Sequence, residues 1–276
     1  MTRVALVTWN AEGMFTLASM TRRGTPESAL GGLDELDADI VVIPEFGCVD
    51  PIDTKIETEL IKRGYSIAGF ASYYDDRTVS GYGIAVLSRV QIVRSETFPI
   101  EDGERRAVAS IVVLPDGQEM CVVGVHLDDR SEAVRLRQAE RVIRYIETCG
   151  VERVLVAGDF NAMDARSLFA CLVRLLPTKI LDVCVRGRMR SIVRRARDMA
   201  IGTTIDRFNT LSTVRNLDPG HARTVSARQR HLEKLPAWRL AKIDWIFGSP
   251  NLHVREYKVW RDIGSDHRPV RVTLES

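Results

Sequence analysis

The chain has 276 residues, 45% of them hydrophobic and 28% charged, with a formal net charge of +2. That apolar fraction supplies a sizeable core and excludes wholesale disorder, and no apolar run approaches membrane-spanning length. The charge is unevenly spread: residues 186–230 hold eleven arginines, no lysine and three aspartates, a local excess of eight, which leaves about −6 on the rest.

In chain order, Val4–Thr8 reads as a strand ending at Trp9-Asn10-Ala11-Glu12-Gly13. MTRVALVTWN lacks the shape of a signal peptide, so a cytoplasmic protein is expected. After a loop over 14–24, Thr25-Pro26 offers an N-cap followed by proline at the first helical position, with Ala29, Leu33 and Leu36 facing inward. Ile40–Ile43 is a buried strand that ends on Pro44-Glu45. A helix through Ile52, Ile56 and Leu60 stops at Gly64, Tyr65–Phe70 looks extended, and 71–80 reads as a loop. Gly81-Tyr82-Gly83 leads into the strand Ile84–Ser88.

Strands near Ala107–Leu114 and Met120–Val125 flank the hairpin signal Pro115-Asp116-Gly117, and the second runs into His126-Leu127-Asp128. Ser131 caps a long helix with Leu136, Ala139, Ile143 and Ile146 on one face, ending near Gly150. Val154–Ala157 is a buried strand, and Gly158 is expected to turn the backbone before Asp159 and Asn161. Gly-Asp-x-Asn alone is ordinary turn chemistry. Leu168–Leu176 is helical. Val185, Met189, Ile192, Ala196 and Met199 then share one helical face, with Arg186, Arg190, Arg194 and Arg197 on the other. Residues 201–240 are the least patterned, which in a compact protein points to a functional loop. Ile243–Phe247, Glu256–Trp260 and Pro269–Leu274 return to strand character.

The five cysteines (48, 121, 149, 171, 184) form no CxxC and read as reduced core residues, with no metal site among them. There is no Pro-, Gly- or Ser-rich linker and no repeat. The pattern fits two packed sheets with helices outside, in one domain over 1–276. Polar groups stand at successive strand ends: Asn10, Glu45, His126, Asp159 with Asn161, and Asp266 with His267. Asp244 lies inside a strand, where a carboxylate needs a partner, and histidine is the obvious one.

These pieces resemble the endonuclease/exonuclease/phosphatase superfamily, with its deoxyribonuclease I-like fold. The matching stretches are VTWNAEG, DIVVIPEF, GYGIAVLSR, VGVHLD, VAGDFNA, KIDWIF and GSDHRPV, in the family's order from residue 4 to residue 271. Each is weak alone; seven in order are specific. The resemblance implies a four-layer α/β/β/α sandwich of two mixed sheets flanked by helices, an α/β (α+β) fold with the site at one end. It departs at Pro44, where the family carries Gln, and at Ala222-Arg223-Thr224-Val225-Ser226, where the family often has Thr-aromatic-Pro. The second departure touches substrate choice most.

By that resemblance Glu45 is the principal ligand of Mg²⁺ or Mn²⁺, assisted by Asn10 and Asp266, and hard oxygen donors suit those ions. Asp159 orients or deprotonates the attacking water, and Asn161 bonds a non-bridging oxygen. His267, backed by Asp244, contacts the phosphate as an imidazolium or acts as a base. His126 touches the phosphate or protonates the leaving group. Tyr82 and Arg89 read as structural.

A basic block in an otherwise acidic chain suggests a polyanionic partner, against the ordinary reading of a solvated face. Arg190, Arg194, Arg197 and Arg223 are the candidate substrate contacts, and the expectation is a monomeric nuclease with DNA ahead of RNA. The alternatives are a phosphomonoesterase or an inositol-phosphate or phospholipid phosphodiesterase at an anionic membrane surface, and, more remotely, a catalytically silent module.

Overall fold

The computed structural model describes residues 2–15, 24–47, 52–73, 82–101, 105–175, 188–218, 220, 222–226 and 241–275. Along them run β1 (Arg3–Thr8), α1 (Pro26–Leu36), β2 (Ile40–Ile43), α2 (Thr54–Lys62), β3 (Ser66–Tyr73), β4 (Tyr82–Ser88) and β5 (Ile92–Pro99). Then come β6 (Arg106–Val113), β7 (Glu119–His126), α3 (Glu132–Thr148), β8 (Arg153–Asp159), α4 (Leu168–Leu175), α5 (Arg188–Met199) and α6 (Thr203–Asn209). The last are β9 (Arg215–Asn216), β10 (Asp244–Gly248), β11 (His253–Val259) and β12 (Val270–Glu275).

One sheet has the order β11-β12-β1-β2-β4-β3 and the other β5-β6-β7-β8-β10-β9. The pairs β1–β2 and β7–β8 are parallel and the rest antiparallel, so both sheets are mixed. β12 runs antiparallel beside β1, with Arg3 opposite Glu275, so strands from the two ends of the sequence are neighbours.

Strand alternation sorts the side chains into layers. Val4, Leu6, Ile40, Val42 and Val86 of one sheet meet Val108, Met120, Val122, Leu155, Ala157 and Ile246 of the other. The outer face of the first sheet, with Val7, Val41 and Leu87, is covered by Leu33 and Leu36 of α1 and Ile56 and Leu60 of α2. The outer face of the second, with Val123, Val156 and Phe247, is covered by Ala139 and Ile143 of α3 and Phe208 of α6. The result is four layers, α/β/β/α. A smaller cluster joins Ala170 and Val173 of α4 and Ala196 and Met199 of α5 to Met163 and Ile243, just outside the ends of β8 and β10.

Local chemistry agrees at the helix starts. Thr25 caps α1 in a capping box with Ser28, proline sits at the helix start, and Ser131 caps α3. Wholly buried Arg135 on α3 bonds Glu132 and Asp198 of α5, while Glu132 accepts from the backbone of Thr204, tying α3, α5 and α6 together. Arg89 bonds Asp37 and stacks over Tyr65, a structural role; the side chain of Tyr82 lies outside the described residues. Cys121, Cys149 and Cys171 are free thiols, and positions 48 and 184 lie outside the described residues.

The structure departs from the sequence reading in four places. Strand β5 had no signal, because as an edge strand it is largely exposed and carries no apolar alternation. Strand β3 continues to Tyr73, into the stretch read as a loop. The region 201–240 is not all loop, since it contains α6, β9 and a short bridge at Val225 to His267. Gly158 does not turn the chain; β8 continues through it to Asp159. Its φ is +151°, and a Cβ there would lie 1.9 Å from the Val125 carbonyl oxygen of the parallel neighbour β7. Gly158 therefore lets the strands carrying His126 and Asp159 pair closely. Gly158→Ala is expected to destabilise the protein by about 3 kcal/mol, the upper end for overpacking, as read by urea unfolding.

Candidate active site

Three adjacent strands of the second sheet place one polar residue each at the same level. His126 ends β7, Asp159 ends β8 and Asp244 begins β10, and in the ladders His126 lies beside Asp159 and Asp159 beside Asp244. All three share the inter-sheet face with Val122, Ala157 and Ile246, so the site starts where the central apolar stripe stops. The first sheet contributes Asn10 after β1, Glu45 after β2, and Asp266 and His267 before β12.

Two of these residues are aimed by unusual backbone. Glu45 and Asn161 both have φ of +49°, a left-handed conformation uncommon for a side chain with a Cβ. By parity Glu45 would join Val41 and Ile43 on the outer face; the positive φ breaks the alternation and turns its carboxylate to the site. Asn161 donates its backbone N–H to Asp159 Oδ1 at 2.8 Å and its Nδ2 to the Leu127 carbonyl at 3.1 Å, leaving one amide N–H for another acceptor. Phe160, between them, is buried against Phe208 and Phe247.

The amide nitrogen of Asn10 links the acids, 3.0 Å from Asp159 Oδ2 and 3.3 Å from Glu45 Oε1, while its oxygen accepts from the backbone N–H of Glu12. Asn10 thus turns its nitrogen, not its oxygen, toward the carboxylates. His126 Nε2 is 3.7 Å from both Glu45 Oε1 and Asp159 Oδ2. His267 Nδ1 is 2.9 Å from Asp244 Oδ2 and 3.0 Å from Oδ1, and its Nε2 is 3.7 Å from Asp159 Oδ2 and 3.8 Å from Asp266 Oδ1.

These surroundings separate the two histidines. Burial alone would lower His267, but Asp244, Asp159 and Asp266 together hold it well above the ordinary value, so it is an imidazolium. Burial, Arg105 and the charge on His267 push His126 well below the ordinary value, so it is neutral. Burial, then Asp266, raises Glu45 to about 8. Burial raises Asp159 to about 7, with His267 opposing and Asp244 adding to the rise.

Glu45 and Asp159, held this far above the carboxylate range, form a site that a divalent cation would relieve. Asp159, Asp244 and His267 offer ligand atoms within 4.8 Å of one another. A protonated His267 has no lone pair for a cation, however, and Nδ1 is engaged with Asp244. Glu45 and Asp266 are the better pair. Their side chains are 24% and 20% exposed, against 2% for Asp159 and 1% for Asp244, and Mg²⁺ keeps several of its waters. The oxygen donors fit Mg²⁺ or Mn²⁺.

The eight residues Asn10, Glu45, His126, Asp159, Asn161, Asp244, Asp266 and His267 thus stand together. The arginines divide. Arg194 is exposed and Arg197 half-buried on α5, while the side chain of Arg190 lies outside the described residues. Arg223 sits in the segment 222–226 beside His267. Arg195 pairs with Asp129, Arg207 with Glu140, and Arg215 reaches the Leu252 carbonyl beyond the far end of β10.

Sequence reasoning passed over three supporting residues. Ser265 donates to the Asn10 carbonyl and accepts from the His267 backbone, Thr224 Oγ1 accepts from the N–H of Ile243 and Asp244, and Arg105 donates to the His126 carbonyl. Ser265 lay within a quoted motif and Thr224 within the 222–226 stretch set against the family's Thr-aromatic-Pro; Arg105 had no local signal.

A model of the Endonuclease/Exonuclease/phosphatase family matches residues 7–267. A comparison with curated proteins gives no match. Among solved structures, the endonuclease/exonuclease/phosphatase from Bacteroides vulgatus superposes with a TM-score of 0.70 at 18% identity, covering 100% of this chain and 99% of its own. The human Nocturnin catalytic domain with bound sulfate anion gives 0.64 at 15%, covering 99% and 94%. The mannosyl-6-phosphatase Bt3783 of Bacteroides thetaiotaomicron gives 0.62 at 15%, covering 99% and 100%. At these identities the likeness is one of fold.

With Glu45 raised to about 8, the native protein holds a proton that the unfolded chain releases between about pH 4.5 and 8. Stability of the metal-free protein therefore falls as pH rises through that window. In EDTA, Glu45→Gln is expected to melt above the parent at pH 8, with the gap closing toward pH 6. Mg²⁺ at pH 8 should raise the parent's Tm and leave the variant's unchanged; a variant that melts below the parent at pH 8 contradicts the placement of Glu45.

Proposed function

The chain belongs to the endonuclease/exonuclease/phosphatase family, whose members hydrolyse phosphoester bonds, and on that premise we propose a Mg²⁺- or Mn²⁺-dependent phosphodiesterase that acts as a nuclease, on DNA ahead of RNA. The observation that carries the reading is the buried run Asp244–His267–Asp159, with Glu45 beside it across Asn10. Phosphoester hydrolysis needs an oriented water, positive charge against the phosphoryl oxygens and help for the leaving oxygen, and the residues divide in those terms.

Glu45 and Asp266 would hold the cation, which when bound would supply charge neutralisation on the phosphoryl oxygens. Asn10 spaces Glu45 from Asp159 by donating to both. Asp159, with a pKa of about 7, orients the attacking water or takes its proton at neutral pH. His267 presents a charged Nε2–H to the phosphate, since Asp244 holds its Nδ1 proton. Asn161 gives its second amide N–H to a non-bridging oxygen. Neutral His126 is a poor acid, so a hydrogen bond to the phosphate is the better of its two roles.

For the nucleic-acid substrate the support is placement. Helix α5 packs Ala196 and Met199 against Met163 and Ile243, and 222–226 lies along His267, so the elements carrying Arg190, Arg194, Arg197 and Arg223 flank the site. A phosphomonoesterase is the second reading. It is favoured by the pairing of Arg195 and Arg207 within the protein and by the likeness to a mannosyl-6-phosphatase.

Asn161→Ala and His267→Ala are each expected to lower kcat/KM on the order of a thousandfold with circular dichroism unchanged, and full activity in either sinks the assignment. A screen of labelled single-stranded DNA, RNA of the same sequence and p-nitrophenyl phosphate, in Mg²⁺ and in EDTA, tests the substrate. The nuclease reading requires EDTA-sensitive DNA cleavage whose KM rises steeply with salt. Turnover of the monoester alone replaces it with the phosphatase reading.

A further inference from the structure

Asp218 and Lys242 are both buried, and two such charges are stable there only as partners. Lys242 Nζ bonds the Asp218 carboxylate and sits 4.0 Å from the centroid of the Trp245 ring. The same carboxylate accepts from the backbone N–H of Gly220 at 2.8 Å and of Ala222 at 2.9 Å. A buried ion pair adds little net stability over an apolar pair, so its use here is geometric.

What it fixes is the segment that follows. Thr224 donates its N–H to the Ala241 carbonyl, and its Oγ1 accepts from the N–H of both Ile243 and Asp244 at 3.1 Å. On the other side, the Thr224 carbonyl accepts from Arg268 at 2.7 Å, Val225 bridges His267, and Ser226 donates to the Asp266 carbonyl at 2.8 Å. Residues 222–226 are therefore a strap bonded along one edge to the chain entering Asp244 and along the other to the chain around His267. Those two belong to different sheets, since Asp244 opens β10 and His267 precedes β12.

We infer that Lys242 and Asp218 are positioning residues that act through this strap to hold Asp244 and His267 in hydrogen-bond register, an inference that rests on the catalytic reading of that pair. Neither residue touches the reacting atoms. Arg223 rides on the same strap, so the latch also sets where that arginine emerges.

The test uses the full chain with Mg²⁺, on p-nitrophenyl phosphate and on labelled single-stranded DNA. The double variant Asp218→Asn/Lys242→Met removes both buried charges. It is expected to lower kcat ten- to a hundredfold with KM changed about twofold or less, while Lys242→Arg keeps most of kcat. Thr224→Val deletes only the shared acceptor, strands no charge, and carries the same expectation. In the proton spectrum, the downfield imidazole N–H signal that disappears in Asp244→Asn should shift or broaden in both. Parent-like kcat in the double variant and in Thr224→Val overturns the latch. If Asp244→Asn itself retains full turnover, the catalytic reading has failed instead.

Discussion

The carboxylate of Asp159 is 2% exposed, and an acid buried to that degree must be answered from every side. Its two oxygens are met by the Asn161 backbone, the Asn10 amide and the ring nitrogens of both histidines. Each of those groups comes from a different segment, and each is itself secured. Asn10 is tied through its carbonyl to Ser265, His267 through Nδ1 to Asp244, and Asn161 through its amide to Leu127. The demand spans both sheets, because His126 and Asn161 come from the second sheet and Asn10 and His267 from the first. The compensation is incomplete, with Asp159 at about 7 and Glu45 at about 8. That burial of charge, only partly answered, is what makes the two acids sensitive to pH.

Much of this was legible in the amino-acid order, for a physical reason. Asn10, His126 and Asp159 each stand where a continuous apolar run, the mark of a strand buried on both faces, gives way to polar residues, so the strand ends could be read off, while their convergence was implied by the resemblance. The direction of the Glu45 side chain could not be read off. Its aim depends on a left-handed backbone conformation, which no pattern of residue types announces at a Pro-Glu step. The turn assigned to Gly158 was a local inference from a residue that favours turns; what decides its conformation is the neighbouring strand at Val125. Strand β5 escaped because an exposed edge has no hydrophobic face to write into the sequence.

The arginine-rich stretch shows where composition misleads. Its excess charge is real, and α5 does bury Ala196 and Met199 while leaving Arg194 outside. Yet Arg195 and Arg207 find acids on the loop before α3 and on α3 itself, at 129 and 140. Charge counted along the chain is thus partly cancelled by residues far away in sequence. The pairing of Lys242 with Asp218 is hidden in the same way, because 24 residues separate two side chains that neither periodicity nor motif connects.

The antiparallel pairing of β12 with β1 has a consequence for how the molecule is made. Asn10 follows β1 and His267 precedes β12, so the strand that seats His267 pairs with the strand that precedes Asn10 across most of the sequence. Because synthesis runs from the N-terminus, Asn10, Glu45, His126, Asp159, Asn161 and Asp244 are all made before Asp266 and His267. Contacts of such sequence separation also form slowly. A chain interrupted before residue 266 holds His126 and the acids at 45, 159 and 244 but lacks both Asp266 and the His267 ring, so the cluster is complete only once the segment before β12 is in place.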